Sequence, residues 1–251
     1  MSGRKGKQEG TNDPGAIARH RGDWAAVLFA LVFPAVLTWV YFVALGGAAA
    51  GVQQAAYGVG KVIQFGFPLV WVLAVRRGRL RWQGPGRAGV GAGLAFGAAV
   101  LVAMLVVYHA WLGPAGALQA AAGPVRQKLE GFGLNTLQGY VALGAFYSLA
   151  HSLLEELYWR WFVFGQLRRL IPLWPAVAVS SVGFAAHHVI VLGRYFGGFT
   201  VPTVLFSLAV AFGGAFWAWL YHRSGSLWGP WLSHLLVDAG IFAIGYGMIA
   251  G

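Results

Sequence analysis

Seven apolar segments, each close to the length that crosses a lipid bilayer, constrain the fold of this chain more than any other feature. A transmembrane helix needs about 20 mainly apolar residues. The segments are residues 24–45, 52–75, 88–112, 139–166, 173–193, 201–222 and 228–250. Because unpaired backbone amides are costly in lipid, such segments fold as helices. The sequence therefore predicts an all-α, polytopic bundle with about seven spans.

The composition indicates a membrane protein and argues against a soluble or nucleic-acid-binding one. Only 10% of the residues are charged, whereas soluble domains carry about a quarter. The net charge of +11 is concentrated at the ends of the apolar segments. The basic residues there are Arg4, Lys5, Lys7, Arg19, Arg21, Arg76, Arg77, Arg79, Arg81, Arg87, Arg168, Arg169 and Arg223.

This distribution is the positive-inside pattern of cytoplasmic loops. We therefore expect a cytoplasmic N-terminus, contact with membrane lipid and no nucleic-acid partner. The amino-acid composition is rich in Ala, Gly and Arg and poor in Lys, which is typical of a GC-rich bacterial gene. We therefore expect the protein to lie in a bacterial cytoplasmic membrane. The absence of cysteine excludes thiol nucleophiles, disulfides and Cys-ligated metals.

The chain is expected to divide into three regions. Residues 1–23 are basic and predict a disordered tail. Residues 24–138 hold three spans and a non-cytoplasmic loop, in which Gly-Pro pairs should break the chain and leave a short interfacial helix over 125–132. Residues 139–251 hold the remaining spans and every acidic residue that lies inside a span.

The second span carries a polar face, because Gln53, Tyr57, Lys61 and Gln64 follow helical spacing. We expect that face to point into the bundle or a wet cavity. Interhelical hydrogen bonds and a lysine that extends to the interface explain it without a functional role.

The fourth span carries the densest polar pattern. Ser148, His151, Ser152 and Glu155 lie at i, i+3, i+4 and i+7, which makes one continuous stripe on a helix. Glu155 has no cation at helical spacing, and a carboxylate without one in a low-dielectric site suits a general base. A protonated glutamic acid bonded to a neighbouring helix is the structural alternative.

The adjacent carboxylate is expected to have a different role, because Glu156 and Arg160 have the i, i+4 spacing of an ion pair. In the seventh span, Asp238 lies one turn from His234 and is expected to accept its hydrogen bond and orient the ring.

The fifth span places Phe184 and His188 one turn apart. His187 points about 100° away from His188 and is expected to be structural, although the two rings can exchange roles. Taken singly, these histidines are more often core residues than catalytic ones.

Together these patterns resemble the CPBP family of intramembrane endopeptidases, named for CAAX proteases and bacteriocin-processing enzymes and also called ABI. The family motifs E-E-x-x-x-R, F-x-x-x-H and H-x-x-x-(N/D) are matched in order by Glu155-Glu156-x-x-x-Arg160, Phe184-x-x-x-His188 and His234-x-x-x-Asp238. The resemblance covers roughly residues 139–240, and the first three spans carry no matching motif.

The resemblance implies a type II CAAX prenyl endopeptidase-like glutamic protease with a catalytic cavity inside the membrane. Glu155 would activate water with help from His188, and His234 would stabilise the oxyanion. Prenyl-protein processing members end the last motif in Asn. An ionised Asp238 would repel an oxyanion, so it is expected to orient His234 instead.

The candidate site thus falls into three groups. The catalytic candidates are Glu155, Glu156, His188, His234 and Asp238. The electrostatic and structural frame is Arg160 and Phe184, and the supporting candidates are His151, Ser152 and His187.

Three classes of function stay open. The favoured hypothesis is an intramembrane endopeptidase that acts on a membrane-anchored or hydrophobic peptide. A non-proteolytic scaffold or immunity protein, and a proton or ion transporter that relays through Glu155 and Asp238, are the alternatives. No cofactor is expected. Zinc on Glu155, His188 and His234 is the minority hypothesis, since no H-E-x-x-H motif is present.

Overall fold

The structure is a computed structural model that describes residues 14–78 and 87–250, except for the side chains of residues 14–19 and 250. The described residues form eight helices. In chain order, seven of them are α1 (Pro14–Trp39), α2 (Ala50–Val70), α3 (Val90–Val107), α4 (Gln119–Gly131), α6 (Leu173–Phe196), α7 (Val201–Ser224) and α8 (Trp228–Ala250). The fifth, α5, is a continuous helical run that begins with Leu137–Ala145 and ends with Gly165–Leu170. π-Helical turns extend α1 to Ala44, α2 to Val75 and α3 to Leu112.

Six of the described helices, α1 to α3 and α6 to α8, are long and apolar enough to cross a membrane. The protein is therefore an integral membrane protein, and the predicted all-α polytopic bundle is confirmed. The expected fourth span is helical throughout, as α5, but its polar stripe makes it less apolar than the other six. The helix ends lie within a few residues of the predicted span ends, apart from the start of α1.

The N-terminal boundary differs from expectation. α1 begins at Pro14, so residues 14–23 of the expected disordered tail are helical. Asp23 in this segment forms an ion pair of 3.5 Å with Arg76, which ties the start of α1 to the end of α2. Residues 1–13 lie outside the described residues.

The interfacial helix is longer than expected, because Pro124 lies inside α4 instead of preceding it. A proline inside a helix removes one backbone hydrogen bond. In α4 that loss is outweighed by packing against α6 and α8, where Ala121, Ala122 and Leu129 are buried.

α5 carries most of the polar candidates and has an unusual backbone. It begins where Thr136 Oγ1 accepts a hydrogen bond of 3.1 Å from the Gly139 amide, an N-cap. Two π-helical stretches, Phe146–His151 and Leu157–Phe164, flank one α-helical stretch, Ser152–Glu156. π-Helical turns inside α-helices are frequent at functional sites.

α5 also supplies the centre of the core. The buried cluster around it includes Val27, Ala30, Trp159, Phe162, Val163, Phe184 and Trp217. These residues come from α1, α5, α6 and α7, so four helices meet around the part of α5 that follows Glu155 and Glu156.

α3 approaches α8 through glycines. A Cβ atom at Gly93 would overlap the carbonyl oxygen of Gly229, and one at Gly97 would lie 2.9 Å from Ser233 Cα. Small residues allow this close backbone contact between membrane helices. The contact fixes α8 at the residue that precedes His234.

Candidate active site

The two adjacent carboxylates of α5 are both buried, but their partners differ. Glu155 is 4% exposed and Glu156 is 0% exposed. Glu156 Oε1 lies 3.1 Å from Arg160 Nη1, the ion pair that the spacing predicts, and accepts a hydrogen bond of 2.8 Å from His234 Nδ1. Glu155 is less tightly held: His187 Nε2 is 3.7 Å from its Oε1 and His234 Nε2 is 3.7 Å from its Oε2. These two distances exceed an ordinary hydrogen bond.

His234 is surrounded by carboxylates. Its Nδ1 is bonded to Glu156, while its Nε2 faces Glu155 and lies 3.6 Å from Asp238 Oδ1. The short hydrogen bond to the ring is therefore made with Glu156, while Asp238, which was expected to orient the ring, lies in a longer ion-pair contact with it. The ring is turned toward α5, so Asp238 on its own helix reaches only the opposite nitrogen, beyond hydrogen-bond length.

Aromatic rings hold this charged cluster from α6 and α7. The Trp217 ring stacks on His234 with centroids 4.3 Å apart, and its Nε1 donates to Ser233 Oγ at 2.9 Å. The Arg160 guanidinium lies 4.6 Å from the Phe184 ring centre and 4.9 Å from that of Trp217. These cation–π contacts partly offset the desolvation of an arginine that is 2% exposed.

Sequence reasoning missed the contribution of α7. Trp217 and Gly214 both contact the site, and Gly214 O accepts a hydrogen bond of 3.5 Å from Arg160 Nη2. A Cβ atom at Gly214 would lie 3.1 Å from Phe184 Cδ1, so a larger residue would crowd the cluster. The only sequence signal was a Gly-Gly pair and a tryptophan in the middle of a span, which are common in membrane helices.

The two adjacent histidines of α6 are placed differently from the sequence expectation. His187 is the ring that faces Glu155, and it lies parallel to Trp159 with centroids 6.0 Å apart. His188 Nδ1 donates to Phe184 O at 2.9 Å. Because a carbonyl only accepts, Nδ1 carries the hydrogen and Nε2 of the neutral ring is free to accept. The two ring centroids are 4.1 Å apart, so both histidines belong to the same cluster.

The supporting candidates of α5 have modest contacts. His151 lies one turn before Glu155, interacts with it electrostatically and packs 4.7 Å from the Tyr147 ring. The Ser152 hydroxyl donates to the carbonyl of Ser148, so its proton is used within its own helix.

The polar face of α2 points into the bundle, as predicted, and it reaches the site. Gln64 is 1% exposed, and Lys61 and Tyr57 interact electrostatically with Glu155. The Lys61 ammonium lies 5.3 Å from the Tyr57 ring centre and 5.2 Å from that of Phe65. Helical spacing predicted the inward face, but which residue it would meet depended on how the helices pack.

The residues proposed for zinc do not come together as a ligand set. Across residues 14–78 and 87–250, no group of three or more His, Cys, Asp or Glu side chains has a geometry that could hold a metal ion. His187, and not His188, is the ring beside Glu155 Oε1.

Comparison with known proteins identifies one family. Residues 137–240 match the family described as "Type II CAAX prenyl endopeptidase Rce1-like". The match begins at α5 and reaches into α8, so it includes every residue from Glu155 to Asp238, while α1 to α3 lie outside it. No curated protein and no solved structure matches the chain. Over its helix core, residues 137–240, this membrane protein is therefore similar to the Rce1-like family of type II CAAX prenyl endopeptidases.

Proposed function

We propose that this protein is an intramembrane endopeptidase in which Glu155 activates water to hydrolyse a peptide bond of a membrane-anchored or hydrophobic substrate. One observation carries the proposal: Glu156 is held by Arg160 and His234, whereas Glu155 has ring nitrogens near it at 3.7 Å. An incompletely paired carboxylate buried in a membrane bundle is costly and is retained mainly where it has a function.

In the first step, the ionised Glu155 carboxylate accepts a proton from a water molecule. The water oxygen bonds to the carbonyl carbon of the scissile peptide, and the carbonyl electron pair moves onto its oxygen. His187 lies beside Glu155 Oε1, and the free Nε2 of His188 is an acceptor in the same cluster. Either ring can hold the water in line with the carboxylate.

In the second step, the oxyanion needs a donor that is already in position. His234 donates from Nδ1 to Glu156, so in its doubly protonated form its Nε2–H is directed toward Glu155 and Asp238. A fixed N–H at this position stabilises the oxyanion as its charge develops. Glu155 then returns its proton to the leaving amide nitrogen, the C–N bond breaks, and a carboxylic acid and an amine are released.

The remaining charged residues form the frame of the mechanism. Arg160 pairs with Glu156 Oε1, the same oxygen that accepts the hydrogen bond from His234 Nδ1. Asp238 Oδ1 lies 3.6 Å from Nε2 of the same ring, so it stands beside the N–H that the oxyanion step uses.

For the location, we propose a bacterial cytoplasmic membrane with the N-terminus in the cytoplasm. The exposed ends that carry Arg76, Arg169 and Arg223 lie on the same side of the bundle as the start of α1, which is the positive-inside arrangement. Because the chain has no cysteine, single cysteines at Ser224 and Gly198 can be labelled separately in intact cells. A membrane-impermeant maleimide should label Gly198→Cys only. Labelling of Ser224→Cys alone would show that the N-terminus lies outside the cytoplasm.

The experiment that tests the function is cleavage of a library of membrane-anchored peptides by purified protein in detergent or nanodiscs. Wild type should cleave a subset, whereas Glu155→Gln and Glu155→Ala should not. Glu130→Gln is the matched control, because Glu130 is an exposed glutamate on α4. Cleavage by Glu155→Gln at the wild-type rate would contradict the proposal.

The same preparation separates the alternatives. A transporter would lose proton flux in liposomes on Glu155→Gln while showing no cleavage in any form. A scaffold would show neither activity. Inhibition by phenanthroline that zinc reverses would restore the metal hypothesis.

A further inference from the structure

A polar cavity lies at the opposite end of the bundle from the arginine-rich loops. Its volume is about 270 Å³, and it is bounded by the ends of α1 and α6, the start of α2 and one face of α4. The polar and aromatic side chains that line it include Gln53, Gln54, Lys128, Arg194, Tyr41 and Tyr195.

Two cations converge on this cavity. Lys128 donates to Gln53 Oε1 at 3.3 Å, and Gln53 is itself fixed because its Nε2 donates to Ala48 O at 2.9 Å. The Lys128 ammonium also lies 4.2 Å from the Tyr41 ring centre and 5.4 Å from that of Phe132. The ammonium is therefore held in one place by an amide and two rings, unlike a freely moving surface lysine.

The charge of this cavity is not balanced by the protein. Within the described part of the chain, neither Lys128 nor Arg194 forms an ion pair with a carboxylate. Burial lowers the pKa of Lys128, and repulsion from Arg194 lowers it further. Two like charges brought together without a counter-ion are unfavourable, and an anion placed between them relieves that repulsion.

The position of the cavity indicates where the anion comes from. Tyr41, Phe42, Phe132 and Tyr195 surround it at the ends of membrane spans, where aromatic side chains lie at the level of lipid headgroups. Lysine and arginine together bind phosphate oxygens, and basic pockets between membrane helices accept anionic headgroups. Among the lining residues, Arg194, Gln54 and Phe132 are exposed, so the cavity is open to such a ligand.

We infer that the cavity formed by Lys128, Arg194 and Gln53 is a binding site for a phosphate group, of which an anionic phospholipid headgroup is the source that fits its place in the bundle. The site is separate from the Glu155 cluster and does not depend on the proposed peptidase activity. A lipid bound here would bridge α1, α2, α4 and α6, and so would brace the helices that enclose the Glu155 cluster.

Binding is tested by titrating the detergent-solubilised protein with short-chain phosphatidylglycerol, phosphatidylcholine and inorganic phosphate, followed by calorimetry. We expect phosphatidylglycerol to bind and phosphatidylcholine to bind at least tenfold more weakly. The Lys128→Gln/Arg194→Gln protein should bind phosphatidylglycerol roughly tenfold to thirtyfold more weakly, because it lacks both charges that attract the phosphate.

Matched variants keep the test interpretable. Lys128→Arg/Arg194→Lys retains both charges and should retain binding, and Arg223→Gln removes a charge at the other end of the bundle and should have no effect. Glu155→Gln should bind lipid like wild type. If inorganic phosphate competes at similar concentration, the ligand is a free phosphate bound by the same chemistry. Equal binding of both lipids, or equal binding of phosphatidylglycerol by wild type and the double glutamine variant, would overturn the inference.

Discussion

α5 and α2 both supply polar side chains to the surroundings of Glu155, but their other side chains differ in how far they are exposed. In α5, Glu156 and Arg160 are 0% and 2% exposed and are enclosed by neighbouring helices. In α2, Lys61 turns inward, whereas Val59 and Val62 are 61% and 74% exposed. Most of the buried charge is therefore on α5, and α2 contributes one inward-facing side, with Tyr57, Lys61 and Gln64. Substitutions in α5 should then alter chemistry or folding, while those in α2 and α3 should matter only on their inner faces.

The largest effect is expected at the reacting carboxylate. Glu155→Gln keeps the shape of the side chain but cannot accept a proton from water, so peptide turnover should fall by about 10³-fold or more. The unfolding midpoint should change little, because Glu155 makes no short ion pair. Turnover within tenfold of wild type, measured on a cleaved library peptide, would contradict the role of Glu155.

The adjacent residue should show the opposite pattern. Glu156→Gln leaves Arg160 buried without its counter-charge, and we expect a loss of about 3–5 kcal/mol in unfolding free energy. The variant Glu156→Leu/Arg160→Met removes both charges and should be more stable than Glu156→Gln. Equal stability of Glu156→Gln and wild type in a detergent unfolding assay would show that the pair is not part of the frame.

The two histidines of α6 can be compared with each other, because both lie in the cluster around Glu155. We expect His187→Gln and His188→Gln each to lower turnover, by roughly a hundredfold for the ring that holds the water. The ratio of the two losses identifies that ring. If His187→Gln has wild-type turnover, the placement of His187 beside Glu155 has no part in the reaction.

The outer helices are tested next, at the glycine contact between α3 and α8. Gly97→Val would push against Ser233 and displace the start of the His234 turn, which should cost about 1–3 kcal/mol. Gly91→Val is the matched control, since a Cβ atom there meets nothing within 4 Å. Equal thermal stability of the two variants would show that the inner and outer faces of α3 do not differ in their tolerance of larger side chains.

The smallest effect is expected on α2. Lys61→Met removes a cation that interacts with Glu155 but touches no reacting group, so turnover should fall by about tenfold with substrate affinity unchanged. Val62→Leu, on the outward side of the same helix, should leave turnover unchanged. A matching loss in both variants would indicate a general disturbance of α2 and not an electrostatic role for Lys61.

Much of this organisation could be predicted from the sequence, because it depends on local spacing. Apolar length located the spans, and the i, i+4 spacing located the Glu156–Arg160 pair. Contacts between distant helices could not be predicted. The bond from His234 to Glu156 joins residues far apart in the chain, and it is shorter than the local Asp238 contact that spacing alone favoured.

The rotation of each helix about its own axis could not be predicted from the sequence either. Whether His187 or His188 faces Glu155 depends on how α6 packs against Trp159, since adjacent residues on a helix differ by about 100°. Trp217 offered no pattern at all, because a tryptophan in a membrane span is ordinary until the ring it stacks on is known.

The central claim is that Glu155 activates a water and does not itself attack the peptide. A single turnover of a cleaved library peptide in ¹⁸O-labelled water, followed by mass spectrometry of product and enzyme, tests this directly. The mechanism predicts one ¹⁸O atom in the new C-terminal carboxylate and none in the enzyme peptide that contains Glu155. An unlabelled product together with ¹⁸O in the Glu155 carboxylate would contradict it.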